Sequence, residues 1–159
     1  MTTTSSVLHA GAGEITGDPG LLDRYLLDGT RTDGRLALVE HTIAPRTLAA
    51  PLHRHSREDE YSFVLAGALG VIEDGVEITA SPGDLVSKPR GRWHTFWNAG
   101  DQELRILEII TPGGIEELFR LLAEPGGEYD PQTLPALAAR FGCDVDFSTG
   151  RRRSWSETC

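Results

Sequence analysis

Three histidines and one glutamate in the middle of this sequence have the chemistry of a metal site. His53 and His55 lie two residues apart, Glu60 follows soon after them, and His94 comes later in the chain. Imidazole nitrogens and a carboxylate oxygen suit a first-row transition metal, so we expect one divalent ion per chain: Fe, Mn, Ni, Co, Cu or Zn. Four protein ligands on an octahedral ion leave two positions for water or substrate, whereas on tetrahedral zinc Glu60 could leave the metal and act as a base.

β-Strands would bring these four side chains together. Residues two apart on a strand project to the same face, so His53 and His55 can bind one ion, whereas a helix would turn them apart. Glu60 is expected to begin the next strand after a polar bend. His94 is expected on a strand that follows the turn around Gly91. Antiparallel pairing of these strands would complete the site.

Turn-forming residues divide the rest of the sequence into short apolar segments. The 18 glycines and 9 prolines favour β structure with many turns over a helical bundle. We predict strands at residues 21–27, 36–43, 60–65, 68–73, 76–80, 85–87, 93–97 and 104–110. Residues 21–27 could instead form a helical turn, but the Asp-Gly pairs at 28–29 and 33–34 favour a strand.

Two short helices are predicted after the last of these strands. The apolar stripe of the first consists of Ile115, Leu118, Phe119 and Leu122. The second is expected to begin at Pro131, with Asp130 as its cap, and to end near Gly142. We expect both helices to pack on the outside of the structure that the strands form. A role as a lid or in a dimer contact is the alternative.

Several other polar residues receive no functional role from the pattern. Glu58 and Asp59 lie in the polar bend before Glu60 and are expected to be solvated. His41 has no partner pattern and is expected to be an ordinary structural or surface histidine. Glu108 interrupts an apolar strand and is expected to face outward or to lie at a sheet edge.

The spacing of the candidate ligands and turn residues resembles the two conserved motifs of the cupin superfamily. The matching residues are His53, His55, Glu60 and Gly67 in the first motif and Gly83, Pro89, Gly91, His94 and Asn98 in the second. Thr47 stands where the family usually has the glycine that opens the first motif. The resemblance covers about residues 35–112. The local sequence at residues 60–65 and 93–98 is similar to that of small bacterial quercetin-dioxygenase-like cupins. It implies a jelly-roll barrel that holds a metal on His53, His55, Glu60 and His94.

The expected fold is therefore mainly β, a cupin-type jelly-roll β-barrel with short C-terminal α-helices. Residues 1–34 are expected to form an N-terminal arm and an edge strand, and residues 35–112 the barrel. Residues 113–142 would form the C-terminal helical extension, and residues 143–159 a polar tail.

Composition limits the partners of this protein. The net charge of −9 would repel nucleic acid, so a small-molecule partner fits better. No apolar run approaches the roughly 18 residues of a membrane helix, and the sequence does not begin with a signal pattern, so we expect a cytoplasmic protein without membrane contact. Cys143 and Cys159 are expected to be free thiols. Cupins commonly pair through an exposed sheet edge, so a homodimer is expected.

The resemblance implies a metal-dependent oxidoreductase. The leading hypothesis is a dioxygenase, similar to quercetin 2,3-dioxygenase, that acts on a small enol, polyphenol or β-dicarbonyl compound with Glu60 as the catalytic base. One alternative is an isomerase or cyclase of a polyketide or sugar-like ketone. Another is a non-catalytic cupin that binds a small molecule.

Overall fold

Short strands account for most of the regular structure, as the content of turn-forming residues predicts. The computed structural model describes residues 6–124 and 130–148, and that part of the chain contains eleven strands and two α-helices. The strands are β1 (Glu14–Asp18), β2 (Leu21–Leu27), β3 (Ala37–Ile43), β4 (Leu48–His55), β5 (Asp59–Ala66), β6 (Leu69–Glu73), β7 (Val76–Ala80), β8 (Leu85–Lys88), β9 (His94–Asn98), β10 (Leu104–Thr111) and β11 (Cys143–Asp146). The helices are α1 (Glu116–Ala123) and α2 (Leu134–Ala139).

The strands form two antiparallel sheets whose inner faces enclose the core. Within the described ranges, one sheet has the order β1-β2-β3-β10-β5-β8 and the other the order β11-β4-β9-β6-β7. From β3 to β11 consecutive strands alternate between the two sheets, apart from the β6–β7 hairpin, and this is the pattern of a jelly roll. The predicted mainly β jelly roll with short helices is confirmed. Neither α1 nor α2 is long and apolar enough to cross a membrane.

Gly67 is a motif residue with a clear backbone role. Its φ angle is +84°, and a β-carbon at this position would lie 2.6 Å from the carbonyl oxygen of Glu103. Glycine alone tolerates both the left-handed conformation and this close approach. The turn after β5 therefore keeps the strand that carries Glu60 in register with β10.

Two buried hydrophobic clusters occupy the space between the sheets and the end of the barrel. Along β3, Ile43 belongs to the first cluster and Val39 to the second, and along β10 Ile106 and Ile110 divide in the same way. Residues separated by an even number of positions share one face of a strand, so both clusters use the inward face of the barrel. The second cluster also contains Leu118 of α1 and Leu134 and Ala138 of α2.

The helices therefore close one end of the barrel interior, and the expectation that they pack on its outside is wrong. This position fits the alternative role of a lid. Helix α2 begins at Leu134 rather than Pro131, because Pro135 has no amide hydrogen to donate to the carbonyl of Pro131. The Asp130 carboxylate accepts a hydrogen bond of 2.8 Å from the Gln132 amide, which is the bond that the predicted cap would make.

The two ends of the chain contain strands that the sequence pattern does not reveal. Residues 21–27 form an interior strand rather than the expected edge strand, because β1 pairs with β2 on its other side. Most of β1 is exposed on both faces, so it has no apolar alternation. Likewise, residues 143–146 form β11 rather than the start of a polar tail, and Cys143 pairs with His55 of β4. Residues 149–159 of the expected tail lie outside the described residues.

Candidate metal centre

A layer of buried polar side chains separates the two hydrophobic clusters. On β3, His41 lies between Val39 and Ile43, and on β10 Glu108 occupies the corresponding inward position. The layer consists of Asp23, His41, His53, His55, Glu60, Ser62, Lys88, His94 and Glu108. Burying so many polar groups carries a desolvation cost that apolar residues would avoid. This layer is therefore the first place to look for function.

The four predicted ligands meet in this layer. His53 and His55 extend inward from β4, and His94 lies opposite His53 on the neighbouring strand β9. Glu60 approaches from β5 in the other sheet. One possible ligand atom from each of the four side chains lies within 4.8 Å of the others. The structure thus brings together all four residues that the sequence pattern singles out.

The donor atoms fit a bound cation. The Nδ1 atom of His53 lies 2.8 Å from the carbonyl oxygen of Pro51, and because a carbonyl only accepts, Nδ1 carries the hydrogen and Nε2 keeps its lone pair. The Nε2 atoms of His55 and His94 lie 3.3 and 3.4 Å from Glu60 Oε2, yet neither makes a hydrogen bond to any residue that the structure describes. Each such buried atom costs about 1–3 kcal/mol, which a metal ligand bond would offset.

The protonation of His53, His55 and Glu60 in the metal-free protein depends on their burial and on the neighbouring charges. Burial alone would lower the pKa of His55, but the Glu60 carboxylate raises it to about 10. Burial would raise the pKa of Glu60, but His55 and Lys88 hold it well below its usual range. Burial and the two neighbouring histidines keep the pKa of His53 well below its ordinary value. The metal-free site therefore holds a His55–Glu60 ion pair beside a neutral His53.

Metal binding should release a proton from His55, because the ion and the proton compete for the same imidazole. At about pH 8, below its pKa, His55 is protonated in the metal-free protein, so the metal affinity should rise about tenfold for each unit of pH. Calorimetry in buffers of different ionisation enthalpy would count the protons. The Glu60→Gln variant, which lacks the carboxylate that raises the pKa, should release fewer protons at this pH. Equal proton release by both proteins would contradict this electrostatic description.

Lys88 is a fully buried cation beside the four clustered side chains. The sequence pattern did not single out this residue. Its Nζ atom lies 2.7 Å from Glu108 Oε1 and 3.5 Å from Glu60 Oε2. Ser62 donates a hydrogen bond of 2.7 Å to the other oxygen of Glu108. Burial would lower the pKa of Lys88, but the two carboxylates raise it. Lys88 therefore stays charged and holds the Glu60 carboxylate against the site.

Of the two acidic residues before Glu60 that were expected to be solvated, Glu58 is not. Glu58 is buried rather than solvated, and its Oε2 atom lies 3.8 Å from Nδ1 of His55. Asp59 instead pairs with Arg90 at 2.7 Å, on the partly exposed side of the bend. Glu58 thus lies near the Nδ1 atom of His55, whereas Glu60 lies near Nε2 of the same ring.

His41 and Asp23 form a second buried polar pair in the layer. His41 Nδ1 lies 2.6 Å from Asp23 Oδ1, and the two residues are direct partners across β2 and β3. The His41 ring lies near Phe96 and Phe119, with centroid distances of 6.1 and 5.6 Å. The sequence signal was a polar residue at an inward position on several strands. A histidine considered alone does not reveal that signal.

Two small cavities lie on either side of His53. The first, of about 40 Å³, is lined mainly by the polar layer, including His41, Glu60 and Lys88. The second, of about 50 Å³, lies under α1, α2 and β11 and is lined by apolar side chains together with His53 and His55. Phe119 of α1 borders both cavities. The candidate ligands therefore border two small cavities, and Phe119 lines both of them.

Comparison with known proteins places this architecture in a family. The cupin domain model matches residues 39–110. Quercetin 2,3-dioxygenase of Bacillus subtilis is 29% identical over 121 residues, which make up 75% of this chain but only 35% of that protein. This chain thus spans about a third of the length of that relative.

Solved structures show the same fold. KdgF from Halomonas sp. has a TM-score of 0.62 at 19% identity, over 72% of this chain and 99% of that chain. The polyketide cyclase RemF from Streptomyces resistomycificus has a TM-score of 0.57 at 25% identity, over 68% of this chain and 80% of that chain.

The segment matched by the family model extends from β3 into β10 and contains all four clustered side chains. The two sheets of the jelly roll carry these side chains on the strands and at the spacing that the two sequence motifs led us to expect. Motif, barrel and family model agree, and residues 39–110 of the chain form a cupin domain.

Proposed function

We propose that this protein is a metal-dependent cupin enzyme and that it is a dioxygenase of a small enol, polyphenol or β-dicarbonyl compound. The observation that carries the proposal is the buried cluster of three imidazoles and one carboxylate beside a small cavity. Neutral imidazoles with one carboxylate suit iron, manganese, cobalt, nickel, copper or zinc. The similarity to quercetin 2,3-dioxygenase supports oxygenation among the reactions that such a site could perform.

A divalent ion held by His53, His55, Glu60 and His94 would act as a Lewis acid toward an anionic oxygen of the substrate. The side chains of the barrel would do the rest. The Glu60 carboxylate would accept the hydroxyl proton of the enol or phenol as that oxygen enters the site. Lys88, 3.5 Å from Glu60, would hold the carboxylate in position, and the apolar clusters on both sides of the layer would exclude water.

Oxygen uptake by the metal-loaded protein with quercetin and pentane-2,4-dione would test this proposal. Uptake that disappears in both His53→Ala and Glu60→Gln would support it, and metal retained by Glu60→Gln would identify Glu60 chiefly as a base. Turnover of either compound under strict anaerobiosis would contradict the dioxygenase. Tight binding without any product would instead indicate a non-catalytic binding protein.

An isomerase or cyclase of a polyketide or sugar-like ketone is the second candidate function. The similarity to the polyketide cyclase RemF favours it, at 25% identity over 80% of that chain. The same polar layer would serve, because isomerisation and cyclisation need a bound oxygen anion and proton transfers but no oxygen molecule.

Phe119→Ala should enlarge the range of substrates. The cavities of about 40 and 50 Å³ are far smaller than the roughly 300 Å³ at which pockets for drug-sized ligands begin, so a polyphenol requires movement of α1. Removing the ring should join the two cavities and raise kcat/KM for quercetin about tenfold relative to pentane-2,4-dione. Leu122→Ala is the matched control, because Leu122 borders only the second cavity. If Phe119→Ala leaves the ratio of the two kcat/KM values unchanged, Phe119 does not separate the two cavities in the way proposed.

The partner in a homodimer is proposed to dock on the outer face of β5 and β8. Phe63 and Leu85 are cross-strand partners there and are 36% and 55% exposed, with Leu65 beside them. β8 ends the described sheet, so a second copy could cover both the edge and the apolar side chains. Light scattering after gel filtration should give a dimer mass for the natural protein and a monomer mass for Leu85→Glu. A monomer in both cases would refute this interface.

A further inference from the structure

We propose that His41, oriented by Asp23, is a second acid–base residue that exchanges a proton with an enolisable ketone in the barrel cavity. This inference rests on the proposed metal-dependent function and deepens it, because it names the substrate class. The chemistry it adds is proton transfer at carbon, at a position separate from the oxygen that the candidate metal ligands would bind.

The geometry of the pair is that of an oriented imidazole. His41 Nδ1 lies 2.6 Å from Asp23 Oδ1, and both residues are buried. A carboxylate on Nδ1 fixes the tautomer and orientation of the ring and leaves Nε2 for a substrate. Pairing across β2 and β3 holds both side chains on rigid strands, which favours a fixed catalytic geometry.

The pair borders the same cavity as the candidate metal ligands. The cavity of about 40 Å³ is lined by Asp23 and His41 and also by His53, Glu60 and Lys88. A molecule in so small a space touches opposite walls at once. If its oxygen lies against His53 and Glu60, the rest of it lies within reach of the wall formed by His41. Acid–base groups on two walls allow protons to be removed and returned at two positions.

Packing alone gives no reason for this pair. Leu21 and Ile43 flank the two residues on their strands and belong to the hydrophobic cluster, so apolar side chains would suit the positions. A buried ionisable pair is often neutral or unfavourable for stability compared with well-packed apolar residues. Phe96 and Phe119 flank the imidazole, with ring centroids 6.1 and 5.6 Å away, and hold the ring between apolar groups.

The charges around His41 set its pKa against the effect of burial. Burial alone would lower the pKa of His41, but Asp23 raises it above its ordinary value. Glu108 of β10 raises the pKa further and Lys88 of β8 lowers it. Glu60 and His53 face His41 across the cavity, and helix α1 contributes the uncharged Phe119.

The proposed step is enolisation. Neutral His41 takes a proton from the carbon next to the ketone carbonyl, the electron pair of that C–H bond becomes the C=C bond of the enolate, and the carbonyl π pair moves to oxygen. The imidazolium then returns a proton to the same carbon, and the carbonyl forms again. In heavy water the imidazolium first exchanges with solvent, so the returned atom is deuterium. No oxidant or co-reactant is required.

Proton NMR of hydroxyacetone in anaerobic heavy water tests the step directly, with the metal-loaded full-length protein. The natural protein should exchange the α-hydrogens, and His41→Gln should lower the rate by about 100-fold or more. Asp23→Asn should lower the maximal rate and move the rise of the rate to lower pH, because removal of the carboxylate lowers the pKa of His41. His9→Gln replaces an exposed histidine and should match the natural protein.

Two measurements separate this role from a structural one. Metal content and thermal unfolding would show that each variant is folded and loaded. Nitrogen-15 NMR of the metal-free protein should show His41 titrating at lower pH in Asp23→Asn than in the natural protein. The proposal is overturned if loaded His41→Gln exchanges within about twofold of the natural rate, or if a natural protein that binds metal gives no exchange. A natural protein that binds no metal would refute the proposed function itself, before any exchange is measured.

Discussion

Replacing His53, His55 or His94 with alanine should remove the metal and with it the activity. Each substitution deletes one of four nitrogen or oxygen donors that lie within 4.8 Å of one another. Loss of a residue that merely orients a ligand typically costs 10–100-fold in metal affinity, so loss of a ligand should cost more than about 100-fold. Competition with a chelator would give the dissociation constants, and elemental analysis the metal content.

The matched control for these substitutions is His9→Gln, because His9 is an exposed histidine outside the barrel. It should bind metal with the affinity of the natural protein. The metal-free alanine variants should remain folded, since the hydrophobic clusters on both sides of the polar layer do not include these histidines. Unchanged metal affinity in any one alanine variant would remove that histidine from the proposed ligand set.

Replacing Lys88 with methionine should cause a large loss of stability. Methionine keeps much of the volume of lysine but leaves the carboxylates of Glu108 and Glu60 buried without their cation. Breaking a buried ion pair by removing one partner typically costs about 3–5 kcal/mol in the free energy of unfolding. Urea denaturation of the metal-free protein would measure the difference.

A second substitution would show that the loss comes from the uncompensated charge. In Lys88→Met/Glu108→Gln the amide no longer needs a cation, and it can still accept the hydrogen bond from Ser62. The double variant should therefore recover much of the stability that the single variant loses. A Lys88→Met protein within about 1 kcal/mol of the natural protein would mean that the pair contributes little.

The strands and the four clustered side chains were predictable because their signals are local. Turn residues mark the strand ends, and the two-residue spacing of His53 and His55 requires one face of a strand. Strand β7 has the predicted limits, and β10 extends only one residue beyond them. Side chains alternate between the two faces of β4, so His53 and His55 are buried while Arg54 between them is partly exposed.

The rest of the polar layer was not predictable strand by strand. His41 meets Asp23 from 18 residues away, and Glu108 meets Ser62 from 46 residues away. Each looks like an isolated polar residue, and Glu108 was wrongly expected to face outward. The missed signal is collective: an acidic or basic residue occupies an inward position on successive strands. Only the register of the sheets shows that these positions lie at one level.

The position of the helices could not be predicted from the sequence for a different reason. The stripe of α1 was visible in the sequence, but a stripe does not say which surface it covers. The structure places Leu118 and Phe119 against the inward face of the barrel beside His53. Strand β11 has only Cys143 and Val145 facing the second cavity, and two alternating residues are too few to predict a strand.

A crystal structure of the metal-supplemented protein, with anomalous diffraction measured at the metal edge, would test the central claim most directly. We predict one ion per chain, bound by Nε2 of His53, by the imidazoles of His55 and His94, and by the carboxylate of Glu60. An ion at another place in the chain, or four side chains that stay without one at saturating metal, would contradict the account.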